Sequence, residues 1–138
     1  MRQRAPEGTG AVLLVDSDLG FVFWLGQTLE QAGYPALPAR NFPEAVKLIA
    51  SLHFSVAVMI VDESLPDLPQ YISTIRLEHR GVKIILLIEH DDVGLRVDVD
   101  ARCRRADPAD ENSAREWLQL IRRVLSSKPR AIEAQMPN

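Results

Sequence analysis

Asp16 and Asp18 close the run "LLVDSD" (13–18), Asp62 closes "SVAVMIVD" (55–62), and Glu63 follows it. Apolar runs of this kind belong in a protein interior, where neighbouring carboxylates repel one another unless a cation or a proton stands between them. A plainer explanation is that acids at strand-to-helix junctions cap the helices that follow. It fits Asp18, which directly precedes a helical pattern and is placed to accept backbone N–H bonds. Asp16 and Asp62 each terminate an apolar run, and the better reading of that pair is a site.

The elements that must position these acids alternate along the chain. "AVLLV" (11–15) reads as a strand buried on both faces. Phe21, Trp24, Leu25, Leu29 and Ala32 recur at the spacing of one helical face, and Gly33 stands where that helix stops. "YPALPAR" (34–40) is a short strand whose two prolines assign it to a sheet edge. Asn41 caps a second helix with Pro43 in its first turn and Ala45, Val46, Ile49 and Leu52 as its buried stripe. The strand at 55–62 follows, then a third helix at 68–81 opened by Asp67 and Pro69 and closed by Gly81. "VKIILLI" (82–88) is another apolar strand. From 89 to 108 the pattern weakens: alternation over 97–103 predicts a strand, and 89–98 is expected to hold a loop or one to two helical turns. Ser113 and Glu116 form a capping box ahead of Trp117, Leu120, Ile121 and Val124, which predicts a final helix.

Alternating strands and helices of this length predict a parallel sheet covered on both faces, a three-layer α/β sandwich. Ligands in such sheets gather outside the carboxyl ends of the central strands. That places Asp16, Ser17, Asp62, Ile88 and Glu89 on one rim.

The order of elements over 11–126, the "LLVDSD" strand end and "VDESLPD" (61–67) together resemble the receiver domain of two-component response regulators. The resemblance implies a flavodoxin-like, five-stranded parallel sheet of order 2-1-3-4-5, here with a shortened or missing helix between the fourth and fifth strands. It implies that Asp62, followed by Leu65 and Pro66, holds the position of the phosphoacceptor. It also implies a Mg²⁺ site made by Asp16, Asp62 and the Ser64 backbone carbonyl. A carboxylate attacks an anionic phosphoryl group only when a metal ion, an ammonium group and a hydroxyl neutralise and orient it. Three positions depart from that pattern: Ser17 stands where the family keeps a second metal-binding acid, Ile88 replaces its switch hydroxyl, and Asp107 replaces its lysine. Each loss weakens Mg²⁺ binding, transfer or read-out, so the expectation is a divergent pseudo-receiver with a weak Mg²⁺ site, not an enzyme, that acts through protein contact. Arg105, two residues before Asp107 and on the same face if the strand extends that far, is placed to restore a positive charge. The alternative is a working response regulator phosphorylated on Asp62 with Mg²⁺. Asp16-Ser17-Asp18 also resembles the D-x-D of haloacid-dehalogenase-like phosphatases, but Leu19-Gly20 replace the Gly-Thr expected there, and that assignment is remote.

Arg102, Arg104, Arg105, Arg115, Arg122 and Arg123 crowd the last strand and helix. They read either as a solvated face or as an interaction face for a signalling kinase, an output protein or a second copy of the chain. Without interleaved aromatics they do not point to nucleic acid. His53, His79 and His90 are scattered and suggest no ligand cluster. Trp24 and Trp117 read as core, and Cys103 as a small inward-facing group. With 138 residues, 46% apolar content, 25% charge and net charge −3, the chain is expected to form one compact domain. Residues 1–10 and 127–138 read as flexible ends. A single cysteine excludes an internal disulfide, no run reaches a membrane span, and the start lacks a signal peptide, so a cytoplasmic location is expected.

Overall fold

The computed structural model describes residues 10–51, 56–89, 97–105, 107 and 109–127. Five parallel strands, β1 (Ala11–Val15), β2 (Ala36–Ala39), β3 (Val56–Asp62), β4 (Lys83–Ile88) and β5 (Ala101–Arg104), form one sheet of order β2-β1-β3-β4-β5. Four helices are present among the described residues: α1 (Leu19–Gln31), α2 (Phe42–Ser51), α3 (Leu68–Glu78) and α4 (Glu111–Ser126). Residues 90–96, where a short helical segment was expected, lie outside the described residues, as do Leu52, His53 and His90.

Successive side chains of a strand point to opposite faces, and the core divides accordingly. Val12, Leu14, Val58, Ile60, Ile85 and Leu87 pack with Phe21, Leu25 and Leu29 of α1 and Trp117, Leu120 and Ile121 of α4. Leu13, Val15, Met59, Val61, Ile84 and Leu86 pack on the other face with Phe42 of α2 and Leu68, Ile72 and Ile75 of α3. Strands apolar at every position therefore have two apolar layers to satisfy. An aromatic pair ties the helices within each layer: Phe21 and Trp117 at 5.9 Å between centroids, and Phe42 stacked on Tyr71 at 4.4 Å. Trp24 is only half-buried against the first cluster.

Helix starts and stops follow local chemistry. Asp18 caps α1 by accepting from Phe21 N–H at 3.2 Å, and Gly33 beyond its end takes φ 92°, a left-handed conformation that glycine adopts without strain. Asn41 caps α2 through Glu44 N–H, while the Glu44 carboxylate returns to Arg40 N–H. At the β2 margin, Pro38 pairs with Leu14 in register, and the Glu30 carboxylate accepts from Ala36 N–H.

Five expectations are corrected. Val46 is 44% exposed, because Phe42, Ala45, Leu48 and Ile49 turn the stripe of α2 away from it. Asp67 precedes α3 with φ 60° and no side-chain cap bond, and the helix ends at Glu78 before reaching Gly81. The cap of α4 is Asp110, which accepts from Asn112 N–H at 2.9 Å; Ser113 sits inside the first turn and donates its hydroxyl to Asp107 O. Asp110 and Ser113 are both good capping residues, and the earlier one wins because it adds nearly a turn of helix. The last strand spans four residues, not seven, with Val97 and Val99 packed on the core ahead of it. Cys103 does point inward, but on an edge strand it is only partly buried; burial, then the charge of Glu116, pushes its thiol pKa up.

The approach to β5 is fixed by Arg76 from α3. Its guanidinium donates to Asp98 O, Val82 O and the Asp100 carboxylate, the last at 2.9 Å, and Asp100 also accepts from Ile84 N–H at 2.7 Å. One partly buried cation thus joins α3, the start of β4 and the residue before β5.

Candidate functional site

β1 and β3 are neighbours in register Val15↔Val61, so Asp16 and Asp62 leave the sheet side by side at its carboxyl rim. They are 2% and 4% exposed and, with Ser113, are the only buried polar or charged residues among those described. Two such carboxylates cannot both be ionised there without compensation. Arg105 compensates both. Its Nη2 lies 2.8 Å from Asp16 Oδ1 and its Nε 3.0 Å from Asp16 Oδ2, a bidentate fork, and Nη2 also lies 3.1 Å from Asp62 Oδ2. Asp18 Oδ2, more exposed, stands 3.7 Å from Nε. Hydrogen bonding to Asp16, helped by the charges of Asp16, Asp62 and Asp18 and opposed by burial, raises the Arg105 pKa above its already high ordinary value.

The remaining lone pairs are used locally. Asp16 Oδ1 accepts from Asp18 N–H at 3.1 Å. Asp62 Oδ2 accepts from Ser64 Oγ at 2.7 Å, and Asp62 Oδ1 from Ser64 N–H at 3.3 Å. Beside the pair, Glu63 accepts from Glu89 N–H at 2.6 Å through Oε2, while its buried Oε1 finds no partner among the described residues.

β5 lies three places from β1, roughly 14 Å at ordinary strand spacing. Arg105 therefore leaves the line of β5 and folds over the end of β4 to reach Asp16. The sequence offered one signal for this: an arginine at the end of a strand in a chain with too many rim acids. The bidentate contact with Asp16, two strands beyond β4, could not be read from spacing.

The other residues singled out in the sequence do not converge here. Ser17 is exposed on the rim. Ile88 is half-buried against the α2–α3 layer. The Asp107 carboxylate accepts from Ala109 N–H at 3.0 Å and serves the turn leading to α4. Nor do the six arginines share one face. Ala101 and Cys103 face the α1–α4 layer, so alternation sends Arg102 and Arg104 to the opposite layer, away from Arg115, Arg122 and Arg123 on α4, and Arg105 turns into the rim.

As arranged, the rim does not fit a divalent ion. Mg²⁺ requires near-octahedral oxygen ligands at about 2.1 Å, yet both Asp16 oxygens and Asp62 Oδ2 are directed at a guanidinium. Among the described residues no group of three or more His, Cys, Asp or Glu side chains is arranged to hold a metal. Nor is any described helix long and apolar enough to cross a membrane.

A doubly wound five-stranded sheet of order 2-1-3-4-5 with acids at the β1–β3 rim is the architecture of CheY-like response-regulator receiver domains, and the chain has that fold. Solved receiver domains superpose on most of the chain. One is the signal receiver domain of an HD domain-containing protein from Pseudomonas fluorescens, at 25% identity, TM-score 0.69, covering 85% of this chain and 94% of that one. Another is a response regulator from Thermotoga maritima in complex with Mg²⁺ and BeF, at 21% identity and TM-score 0.67, covering 84% and 99%. A third is the receiver domain of a sensor histidine kinase from Pseudomonas aeruginosa, with magnesium coordinated in its active-site cleft, at 19% identity and TM-score 0.70, covering 86% and 99%. The sequence matches no family model and no curated protein.

Proposed function

We infer that the chain is a receiver-like module of a two-component phosphorelay system, cytoplasmic, that signals by protein contact and does not accept a phosphoryl group at Asp62. One observation carries this reading: both Asp62 oxygens are engaged, Oδ2 by the Ser64 hydroxyl and the Arg105 guanidinium and Oδ1 by Ser64 N–H. A nucleophilic carboxylate needs an oxygen free to approach phosphorus in line, with positive charge placed on the phosphoryl oxygens and not on the attacking one. Here the positive charge sits on the Asp62 carboxylate itself. The positions that resemble the family's hydroxyl and ammonium carry Ile88 and Asp107, and neither supplies what the incoming group requires. A protein partner is the remaining route for a signal, and the exposed Arg115, Arg122 and Arg123 of α4 suit an acidic protein surface such as a kinase, an output protein or a second copy of the chain.

The alternative, a working receiver phosphorylated on Asp62 with Mg²⁺, draws support from the two structural neighbours whose sites hold magnesium. Incubating the full chain with acetyl phosphate and Mg²⁺ and measuring intact mass separates the two. No phosphoryl adduct is expected. A stoichiometric adduct lost in Asp62→Asn would sink the contact-only reading.

A further inference from the structure

We propose that Arg105 is a tethered cation that takes the place between Asp16 and Asp62 where a divalent ion would have to sit, so that the rim of this chain excludes such an ion while the side chain is there. This rests on the receiver-like reading and adds a role for Arg105.

Three observations carry it. First, Arg105 contacts the acids of both β1 and β3 at once: Asp16 through two nitrogens, and Asp62 through one of those same nitrogens at 3.1 Å. A point between two adjacent buried carboxylates is where a small cation would be held, and the guanidinium holds it. Second, charge is under-compensated. Asp16, Asp62 and Asp18 lie around a single positive charge, with Glu63 next in sequence, so withdrawing the arginine leaves three carboxylates facing one another. Carboxylates left facing one another in this way repel unless a cation lies among them. Third, Arg105 follows the end of β5 and belongs to neither acid-bearing strand, so its side chain can be removed without dismantling β1 or β3.

The two cations exclude one another. Arginine is always charged, and its planar fork uses both Asp16 oxygens; a metal ion between the same oxygens would need them at bonding distance and would be repelled by the guanidinium beside it. Wild-type protein should accordingly ignore Mg²⁺, while protein lacking the side chain should need it.

The test is Mg²⁺ titration by calorimetry, with thermal unfolding in MgCl₂ or EDTA at matched ionic strength, on the full chain. Wild type is expected to show no heat of binding and the same midpoint in both solutions. Arg105→Ala is expected to bind Mg²⁺ and to gain about 4 °C or more over its midpoint in EDTA. Adding Ser17→Asp to Arg105→Ala returns a fourth acid to the rim and should tighten binding by roughly tenfold further. If Arg105→Ala folds only with Mg²⁺ present, the exchange of one cation for the other is observed directly. The proposal is overturned if wild type binds Mg²⁺ as tightly as Arg105→Ala, if Arg105→Ala is indifferent to Mg²⁺, or if neither Arg105→Ala nor the near-isosteric Arg105→Gln folds even with Mg²⁺. None of these readouts depends on phosphoryl transfer. An acetyl-phosphate adduct on wild type defeats the contact-only function, and Mg²⁺ indifference without an adduct defeats only the role given to Arg105.

Discussion

Two arginines hold the two ends of β5, and their surroundings are balanced differently. Arg76, at the strand's start, meets one partly buried carboxylate, Asp100, and spends its other donors on the carbonyls of Asp98 and Val82; Asp98 Oδ2 at 3.8 Å is more than half exposed. Arg105, just past the strand's end, meets two buried carboxylates and a third that is half-exposed. A one-to-one pair completed by backbone carbonyls is what a structural clamp needs. Acids in excess of the cation serve no packing purpose, because each further buried carboxylate costs several kcal/mol of desolvation. Their presence at the β1–β3 rim, and nowhere else in the core among the described residues, marks that end of the sheet as built around charge.

The largest expected effect breaks the comparison at its acidic end. Arg105→Ala in EDTA leaves Asp16 and Asp62 buried without a counter-charge and should lower unfolding free energy by about 3–5 kcal/mol, read from urea denaturation. Arg76→Ala should cost somewhat less, about 2–3 kcal/mol, because Asp100 keeps its bond from Ile84 N–H. Unlike the loss at Arg105, this one should be untouched by Mg²⁺; recovery of Arg76→Ala in Mg²⁺ would erase the distinction drawn between the two ends. Arg105→Lys keeps the charge and loses the fork, so a cost of about 1 kcal/mol with no gain of Mg²⁺ binding is expected. Mg²⁺ binding by that variant would show that geometry, not charge, excludes the metal.

The smallest effect lies between the two ends, at Cys103. Burial raises its thiol pKa, so the folded protein favours the neutral thiol more than the unfolded chain does. The stability this lends is complete below the unfolded pKa and is lost as pH rises through the folded one. Alkylation by iodoacetamide should therefore be slower than for a free thiol at pH 8 and accelerate above pH 9. It should also be faster in Arg76→Ala than in wild type, because β5 opens more readily when its start is unpinned. Equal rates in the two proteins would argue that Arg76 does not restrain the strand.

Much of the fold was legible because it follows from patterns local to the sequence. Strands apolar at every position demand two covering layers, and α1 announced itself through Asp18, its apolar stripe and Gly33. Side-by-side placement of Asp16 and Asp62 followed from the same logic. What was not legible depends on competition or on chain path. Asp110 and Ser113 are near-equal caps, and the nearly full turn of helix gained by starting at the earlier one decides between them. The six arginines looked like one face until β5 alternation and the turn after it sent them three ways. Arg105 was recognisable as a source of positive charge, but not as the partner of Asp16, because that contact spans 89 residues of sequence and crosses two intervening strands.

The outer margin of β2 is closed to any visiting strand. Pro35 and Ala39 turn their carbonyls to Val12 and Asp16 of β1, so alternation directs the peptide groups of residues 36, 38 and 40 outward. Ala36 N–H is given to Glu30, Pro38 has none, and Arg40 N–H is given to Glu44. An edge whose donors are spent offers a visiting strand only carbonyls, half of the backbone ladder on which β-augmentation and fibril growth depend. On this flank a binding protein has only side chains to read, and crowded or partly denatured copies of the chain have no ready seam along which to join.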